Sequence, residues 1–139
     1  MTHPTSPTGQ QDYEYIPRPD EVTPDYLRDI LDAYYMRKWN TNKDTVGAVK
    51  KWRDWPLVLR MPDVKQDFTV HIDDGAVTYV KLGLPERPRI LVIMLSETMQ
   101  RIYYDETTSA IEAIAGRIKI RGNETERRRL LAAISFLTW

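Results

Sequence analysis

Apolar residues recur every three or four positions in the first third of the chain, which is the spacing of one helix face. These residues are Leu27, Ile30, Leu31, Tyr34 and Tyr35. Thr23 has the side chain of an N-cap, and Pro24 suits the first helical position, where its missing N–H costs nothing. The pattern therefore predicts a helix that begins at Pro24 and ends near 40–42, Asn-Thr-Asn.

A second helix is predicted from Asp44 to Trp55. Three apolar residues within it share one face: Val46, Val49 and Trp52. Pro56 would end this helix, because proline lacks the N–H that the helix interior requires. After Pro56 the period changes: residues 57–59 form a short apolar run, and further along apolar residues alternate with polar ones, which is typical of strands with one buried face.

A hairpin is predicted in the middle of the chain. Phe68, Val70 and Ile72 alternate with polar residues, and the sequence at 73–75, Asp-Asp-Gly, tolerates the positive φ angles of a tight turn. The alternation continues on the return strand. Arg89–Leu95 is apolar at nearly every position, which indicates a central strand covered on both faces.

Two short helices, a strand and a last helix are predicted in the C-terminal third. The short helices span Glu97 to about Tyr104 and Thr107 to Ala115, and Gly116 ends the second. A strand follows to Gly122, and Asn123 caps the last helix. The apolar side of that helix carries Leu130, Leu131, Ile134 and Leu137. Together the elements predict an α+β fold with a five-stranded, mostly antiparallel sheet and helices packed on one face.

The length of 139 residues is ordinary for one domain. Residues 1–22 are polar and punctuated by prolines, which predicts a flexible N-terminal tail, and residues 23–139 are predicted to form a single domain. Docking of Tyr13, Tyr15 and Ile16 on the domain is the alternative to a solvated tail.

Charge argues against nucleic acid as a partner. Twenty basic and twenty acidic residues give a formal charge of zero, so no global field attracts nucleic acid or anionic lipid. Arg117, Lys119 and Arg121 alternate along the predicted strand, and this alternation is typical of a solvated face. Nucleic-acid binding is therefore not expected.

The residue inventory also argues against catalysis. The absence of cysteine excludes disulfides, thiolate zinc sites and thiol nucleophiles, and two histidines cannot form a histidine-rich metal site. Asp73 and Asp74 precede Gly75 in the predicted turn, where aspartate is favoured for backbone reasons. His71 has no second histidine nearby. The chain is therefore predicted not to be an enzyme and to need no cofactor or metal.

The sequence carries no targeting or membrane signal. No stretch approaches the roughly 18 consecutive apolar residues of a membrane span. The first twenty residues lack the apolar core of a secretory signal. The cytoplasm is therefore the expected location, without stable insertion into a membrane.

Apolar residues are in excess in the C-terminal half, and for each of them a place in the core is the simplest explanation. A sheet under one layer of short helices can nevertheless leave an elongated apolar space between the layers. Methionines suit such a lining, because their side chains adapt to varied shapes. The residues predicted to bind a ligand there are Met99, Ile102, Tyr103, Ile111, Ile114, Leu131, Ile134 and Phe136. Tyr103 or an arginine near the mouth is expected to hold a polar head group.

Two segments resemble the sterol carrier protein type-two family. At 89–99, Arg-Ile-Leu-Val-Ile-Met-Leu-Ser-Glu-Thr-Met, an apolar strand leads into a capped helix. At 110–123, a short helix ends at a glycine, a basic–apolar strand follows, and a second glycine with Asn123 begins the last helix. The resemblance covers about 45–137. The chain departs from the family at 127–129, where three arginines stand in a usually more apolar helix.

The resemblance implies a non-catalytic module that binds or transfers an elongated hydrophobic molecule in a tunnel between sheet and helices. Family members bind fatty acids, acyl-CoA thioesters, sterols or isoprenoid-type lipids, and some are fused to enzymes. The alternative is a protein-interaction accessory subunit with a filled core, which would form a homodimer or serve a larger enzyme. Its support is four tryptophans, a residue type enriched at interfaces: Trp39, Trp52, Trp55 and Trp139.

Overall fold

The computed structural model describes residues 14–139, and within them the chain forms one five-stranded sheet. The strands are Trp55–Met61 (β1), Gln66–Asp73 (β2), Ala76–Leu82 (β3), Ile90–Ile93 (β4) and Lys119–Arg121 (β5). Their order across the sheet is β3-β2-β1-β4-β5. The β1 and β4 strands run parallel, and the other neighbouring pairs run antiparallel.

The helices of the described residues come before and after the β1–β2–β3 meander. They are Pro24–Tyr34 (α1), Lys43–Ala48 (α2), Ser96–Tyr103 (α3), Ser109–Ile114 (α4) and Glu124–Ser135 (α5). A π-helical turn, Tyr35–Trp39, extends α1, and a 3-10 turn, Pro62–Val64, joins β1 to β2. The predicted fold class is confirmed: the structure is α+β with a mostly antiparallel five-stranded sheet.

Helix α1 forms as its sequence predicts. The Thr23 hydroxyl accepts a hydrogen bond from the Tyr26 N–H at 3.2 Å, and Pro24 begins the helix. The apolar stripe Leu27, Ile30 and Leu31 is fully buried against the sheet layer. The spacing of three and four residues therefore places one face of α1 in the core.

The second helix is shorter than predicted. Asn42 caps α2: its side-chain oxygen accepts hydrogen bonds from the N–H groups of Asp44 and Thr45. The helix ends at Ala48. Trp55 and Pro56 do not end a helix but begin β1. The helix predicted over 44–55 was wrong beyond residue 48. The Trp52 ring stacks on Trp55 with centroids 4.4 Å apart, and Trp55 pairs with β2. These contacts outweigh the weak helical pattern of the segment.

The predicted hairpin turn lies between β2 and β3. Asp74 and Gly75 have φ angles of +52° and +84°, the left-handed conformations that a two-residue turn with matching twist requires. A Cβ on Gly75 would lie 2.3 Å from the Val46 carbonyl oxygen, so α2 also packs directly on the turn. The Trp39 indole N–H donates to the Gly75 carbonyl at 2.8 Å and fixes the turn from the other side.

The core lies between the sheet and the helices. Phe68, Val70 and Ile72 of β2, which the sequence predicts on one face, are fully buried. On β1 the buried apolar residues are Leu57, Val58, Leu59 and Met61. The β4 strand alternates too, with Ile90 and Val92 buried and the residues between them half-buried. The prediction that β4 is covered on both faces therefore fails, because the helices cover one face of the sheet at this strand.

Residues 14–18, which fall within the predicted tail, contact the body of the structure. The Ile16 N–H donates to the Tyr103 hydroxyl at 2.8 Å, and the Tyr104 hydroxyl donates to the Ile16 carbonyl at 2.6 Å. Arg18 lies over the Tyr104 ring at 4.6 Å. Tyr15 and Ile16 therefore dock on the domain, as the alternative to a solvated tail predicts, whereas Tyr13 lies outside the described residues. The domain division at residue 22 stays a prediction.

Candidate functional site

The space between the sheet and the helices is nearly filled. The void that persists there has a volume of about 30 Å³. Its lining is Tyr34, Tyr35, Trp39, Leu57, Val92, Met94, Met99, Ser109, Ile118, Leu130, Ile134 and Leu137. A void of this size holds a water molecule or two and is too small for an acyl chain.

Four of the predicted binding residues are buried. Met99 and Ile134 line the 30 Å³ void, from α3 and α5 respectively. Ile102 and Tyr103 are also buried on α3, but they pack toward α1 and the N-terminal segment. The structure therefore brings Met99 and Ile134 to one enclosed space and places Ile102 and Tyr103 beside it.

The other four predicted residues face outward. Ile111, Leu131 and Phe136 are exposed, and Ile114 has 87% of its surface accessible. The reason is helix geometry: Leu130, Ile134 and Leu137 occupy the inward face of the last helix and its end, which leaves Leu131 about 100° away from that face. As the structure stands, these four side chains do not line the interior.

A groove opens at the surface next to the void. It has a volume of about 250 Å³ and is lined by Ile93, Met94, Leu95, Thr98, Gly116, Arg117 and Lys119. The groove lies where the end of β4, the first turn of α3 and the start of β5 meet. Met94 belongs to the lining of both the groove and the void, so the two spaces meet at this residue.

The rim of the groove is held by a buried carboxylate. Glu112 is fully buried, accepts two hydrogen bonds from the Arg117 guanidinium at 2.5 and 3.1 Å, and accepts a third from the Thr107 hydroxyl at 2.7 Å. The bonds from Arg117 hold the pKa of Glu112 below its ordinary value. Arg117 is thereby fixed in position, while half of its side chain stays exposed at the groove.

The interior also contains fixed polar groups. The Tyr34 hydroxyl lies 2.6 Å from the Ser109 hydroxyl, and both residues line the void. Burial raises the pKa of Tyr34 to about 12, so this phenol is neutral over the physiological range. The pair joins α1 to α4 and offers hydrogen-bonding capacity to a polar atom in the void.

Met94, Ile118 and Leu130 line the void but were not predicted to do so from the sequence. Its place near the end of the apolar run 89–95 and before a helix could have pointed to Met94, because the chain leaves the sheet there.

Within residues 14–139, no cluster of three or more potential metal-ligating side chains is present. None of the described helices is long and apolar enough to cross a membrane.

No protein-family model and no curated protein matches the chain significantly. Solved structures do match. The stereoselective inverting sec-alkylsulfatase Pisa1 from Pseudomonas sp. is similar with a TM-score of 0.50 and 21% identity. The match covers 85% of this chain and 17% of the alkylsulfatase, so the chain spans about a sixth of that protein.

Two further matches cover most of both chains. The UbiJ-SCP2 ubiquinone synthesis protein aligns with a TM-score of 0.56 and 8% identity, over 79% of this chain and 94% of that one. A crystal structure of sterol carrier protein 2 aligns with a TM-score of 0.53 and 16% identity, over 76% and 91% of the respective chains. At these identities the likeness concerns the fold.

Proposed function

We propose that this chain, which has the fold of sterol carrier protein type two, reversibly binds an elongated apolar molecule between its sheet and its helices. The proposal depends on one observation: Met94 lines both the 250 Å³ surface groove and the 30 Å³ interior void. Movement of this side chain would join the two spaces into one path. The proposal therefore includes opening of the packed interior by the ligand itself.

Methionine suits the position between groove and void. Its side chain has three rotatable bonds and no branching, so it changes shape at low cost. Met99, on the next helix, also lines the void and extends the adaptable surface inward. An apolar chain that replaces these contacts gains burial of its own surface, at about 25 cal/mol per Å².

The mouth of the groove offers positive charge. Lys119 and the exposed half of Arg117 line it, and Glu112 keeps the Arg117 guanidinium in place. We therefore assign the holding of a polar or anionic head group to these two residues. Tyr103 does not serve this role, because it is 1% exposed and its hydroxyl accepts the Ile16 N–H.

The test is titration of the protein with a fluorescent fatty acid, together with native mass spectrometry of the protein as purified. Leu95→Trp places an indole in the groove from a side chain that is 52% exposed, so the fold is expected to survive. Binding should fall at least about tenfold, because the entrance is filled. Ile114→Trp is the matched control, since Ile114 is exposed and does not line the groove.

Equal affinity of the wild type and Leu95→Trp would refute this location of the entrance. Failure of the wild type to take up any fatty acid, acyl-CoA or sterol would refute the function itself. Circular dichroism of each variant separates loss of binding from loss of folding.

A second candidate function is that of an accessory domain that serves a larger enzyme. The observation in its favour is the match to an alkylsulfatase, in which the aligned region is 17% of the chain. The nearly filled core is consistent with such a role. A native mass that shows a stable dimer and no bound lipid would favour it over the carrier.

A further inference from the structure

A groove larger than the one beside Met94 lies on the opposite face of the sheet from the helices. Its volume is about 630 Å³. The floor consists of side chains from the outer face of β1, β2 and β3, including Thr69, His71, Tyr79 and Lys81. The wall is the loop 84–89, which joins β3 to β4. This groove is separate from the apolar groove beside Met94.

The wall is anchored at both ends. The Gly83 N–H donates to the Asp67 carbonyl at 2.8 Å, and the Thr69 hydroxyl donates to the Gly83 carbonyl at 2.8 Å. At the other end the Arg89 N–H donates to the Pro56 carbonyl at 3.2 Å. Pro85 and Pro88 stiffen the segment between these anchors. The groove is therefore preformed and does not require a ligand to shape it.

The floor carries an immobilised aromatic surface. The rings of His71 and Tyr79 stack with centroids 4.7 Å apart and planes 6° from parallel. Both nitrogens of His71 are engaged: Nδ1 lies 2.6 Å from the Thr78 hydroxyl, and Nε2 lies 2.6 Å from Asp54 Oδ1. Tyr79 is nevertheless exposed, as is Leu84 across the groove. A flat ring placed there would cover both, next to the Lys81 ammonium, which lies 5.5 Å from the Tyr79 ring centroid.

Positive charge in the groove is incompletely neutralised. Within residues 14–139, no carboxylate lies within ion-pairing distance of Lys81 or Arg87. The Arg89 guanidinium is held 4.0 Å from the Trp55 ring centroid and 3.0 Å from Glu126. Two carboxylates also line the groove: Asp54, whose Oδ1 lies 2.6 Å from His71 Nε2, and Glu86 on the loop 84–89.

We propose that the outer groove binds a small molecule that combines a flat ring with an oxyanion such as a carboxylate, phosphate or sulfate. The ring lies on the His71–Tyr79 stack and against Leu84. The oxyanion is held by Lys81 and Arg87, the two cations of the groove without a carboxylate partner in the described structure. The volume is within the range of small-molecule sites.

The test is an NMR titration of the ¹⁵N-labelled protein with phenyl phosphate. Saturable shifts are expected at the amides of residues 69–71, 79–81, 84, 86, 87 and 89, with a Kd of about 1 mM or tighter. Phenol tests the ring alone and inorganic phosphate tests the oxyanion alone, and both should bind at least about threefold more weakly. A carboxylate analogue, benzoate, distinguishes a general oxyanion site from one that prefers phosphate.

Lys81→Gln and Arg87→Gln should each weaken phenyl phosphate binding about threefold to fivefold, the usual size of an exposed charge contact. Both side chains are exposed, so the variants are expected to fold. Lys51→Gln is the matched control, because Lys51 is exposed and lines neither groove, and it should leave binding unchanged. Shifts that do not saturate, shifts spread over basic residues generally, or an equal loss in Lys51→Gln would each overturn the proposal. The fatty acid titration is independent of this result, so the two proposals fail separately.

Discussion

Replacing Met99 by alanine tests how the interior is packed and whether it accepts a ligand. Met99 is 2% exposed and lines the void of about 30 Å³. The substitution removes three heavy atoms and opens about 75 Å³ of new cavity, which at about 24 cal/mol per Å³ costs about 1.8 kcal/mol. The lost transfer free energy of the side chain adds about 1.5 kcal/mol.

The free energy of unfolding should therefore fall by about 3 kcal/mol, within the range of large-to-small core substitutions. For a domain of this size the melting temperature should fall by roughly 10 °C. Thermal and urea unfolding measure the two quantities. Ile114→Ala is the control, because a side chain that is 87% exposed should cost less than about 0.5 kcal/mol.

The same variant should gain affinity for an apolar ligand, because the enlarged void no longer has to be opened. A fatty acid present at about 100 times its Kd restores about 2.7 kcal/mol to the variant. The wild type should gain less at that concentration. If Met99→Ala is no less stable than Ile114→Ala, the packing argument is refuted. If the fatty acid raises both melting temperatures equally, the interior is not the binding site.

Three further substitutions test local parts of the structure. Glu112→Gln should lower the free energy of unfolding by about 1–3 kcal/mol near neutral pH. Because the pKa of the folded carboxyl lies below its ordinary 4.5, its stabilisation is present above that pH and is lost as the pH falls. The difference in urea unfolding between variant and wild type should therefore narrow in acid, and a constant difference would contradict this. Gly75→Ala should lower the free energy of unfolding by at least about 3 kcal/mol, because its Cβ would meet a backbone carbonyl of α2. Gly83→Ala, which has open space around it, should lower it by about 1 kcal/mol. Equal losses in the two variants would count against the close approach of α2 to Gly75. Tyr103→Phe removes the acceptor of the Ile16 N–H and should speed hydrogen exchange of that amide about fivefold, whereas unchanged exchange would show that the contact does not hold the segment.

Local patterns explain which parts of the fold the sequence could predict. The cap and stripe of α1, the Asp-Gly turn and the Asn123 cap of α5 each depend on a few neighbouring residues, and all are present. The helix predicted over 44–55 failed because its apolar spacing fits a helix, while partners far along the chain favour another arrangement. Ile72 of β2 pairs with Trp55, and the Trp39 side chain reaches the turn at Gly75.

At the candidate site, too, local sequence patterns predicted some features and contacts between distant segments decided the others. The sequence supplied the apolar residues of the last three helices, but not which of them face inward. Met99 and Ile134 line the void, whereas Ile114 and Leu131 are exposed. A periodic pattern several residues wide does not specify the rotation of a short helix, since neighbouring positions differ by about 100°. That rotation is set by packing against the sheet.

The sequence by itself determined the type and order of most elements, the exclusion of disulfides, thiol nucleophiles and thiolate zinc sites, and the resemblance that predicted the fold. These depend on residue identity and on contacts within about one turn of helix or hairpin. Tertiary structure alone decided that the interior is nearly closed, that Met94 stands between void and groove, and that a second groove lies on the outer face of the sheet. The size and position of such spaces depend on how side chains from distant segments pack against one another, and a local sequence pattern does not specify that packing.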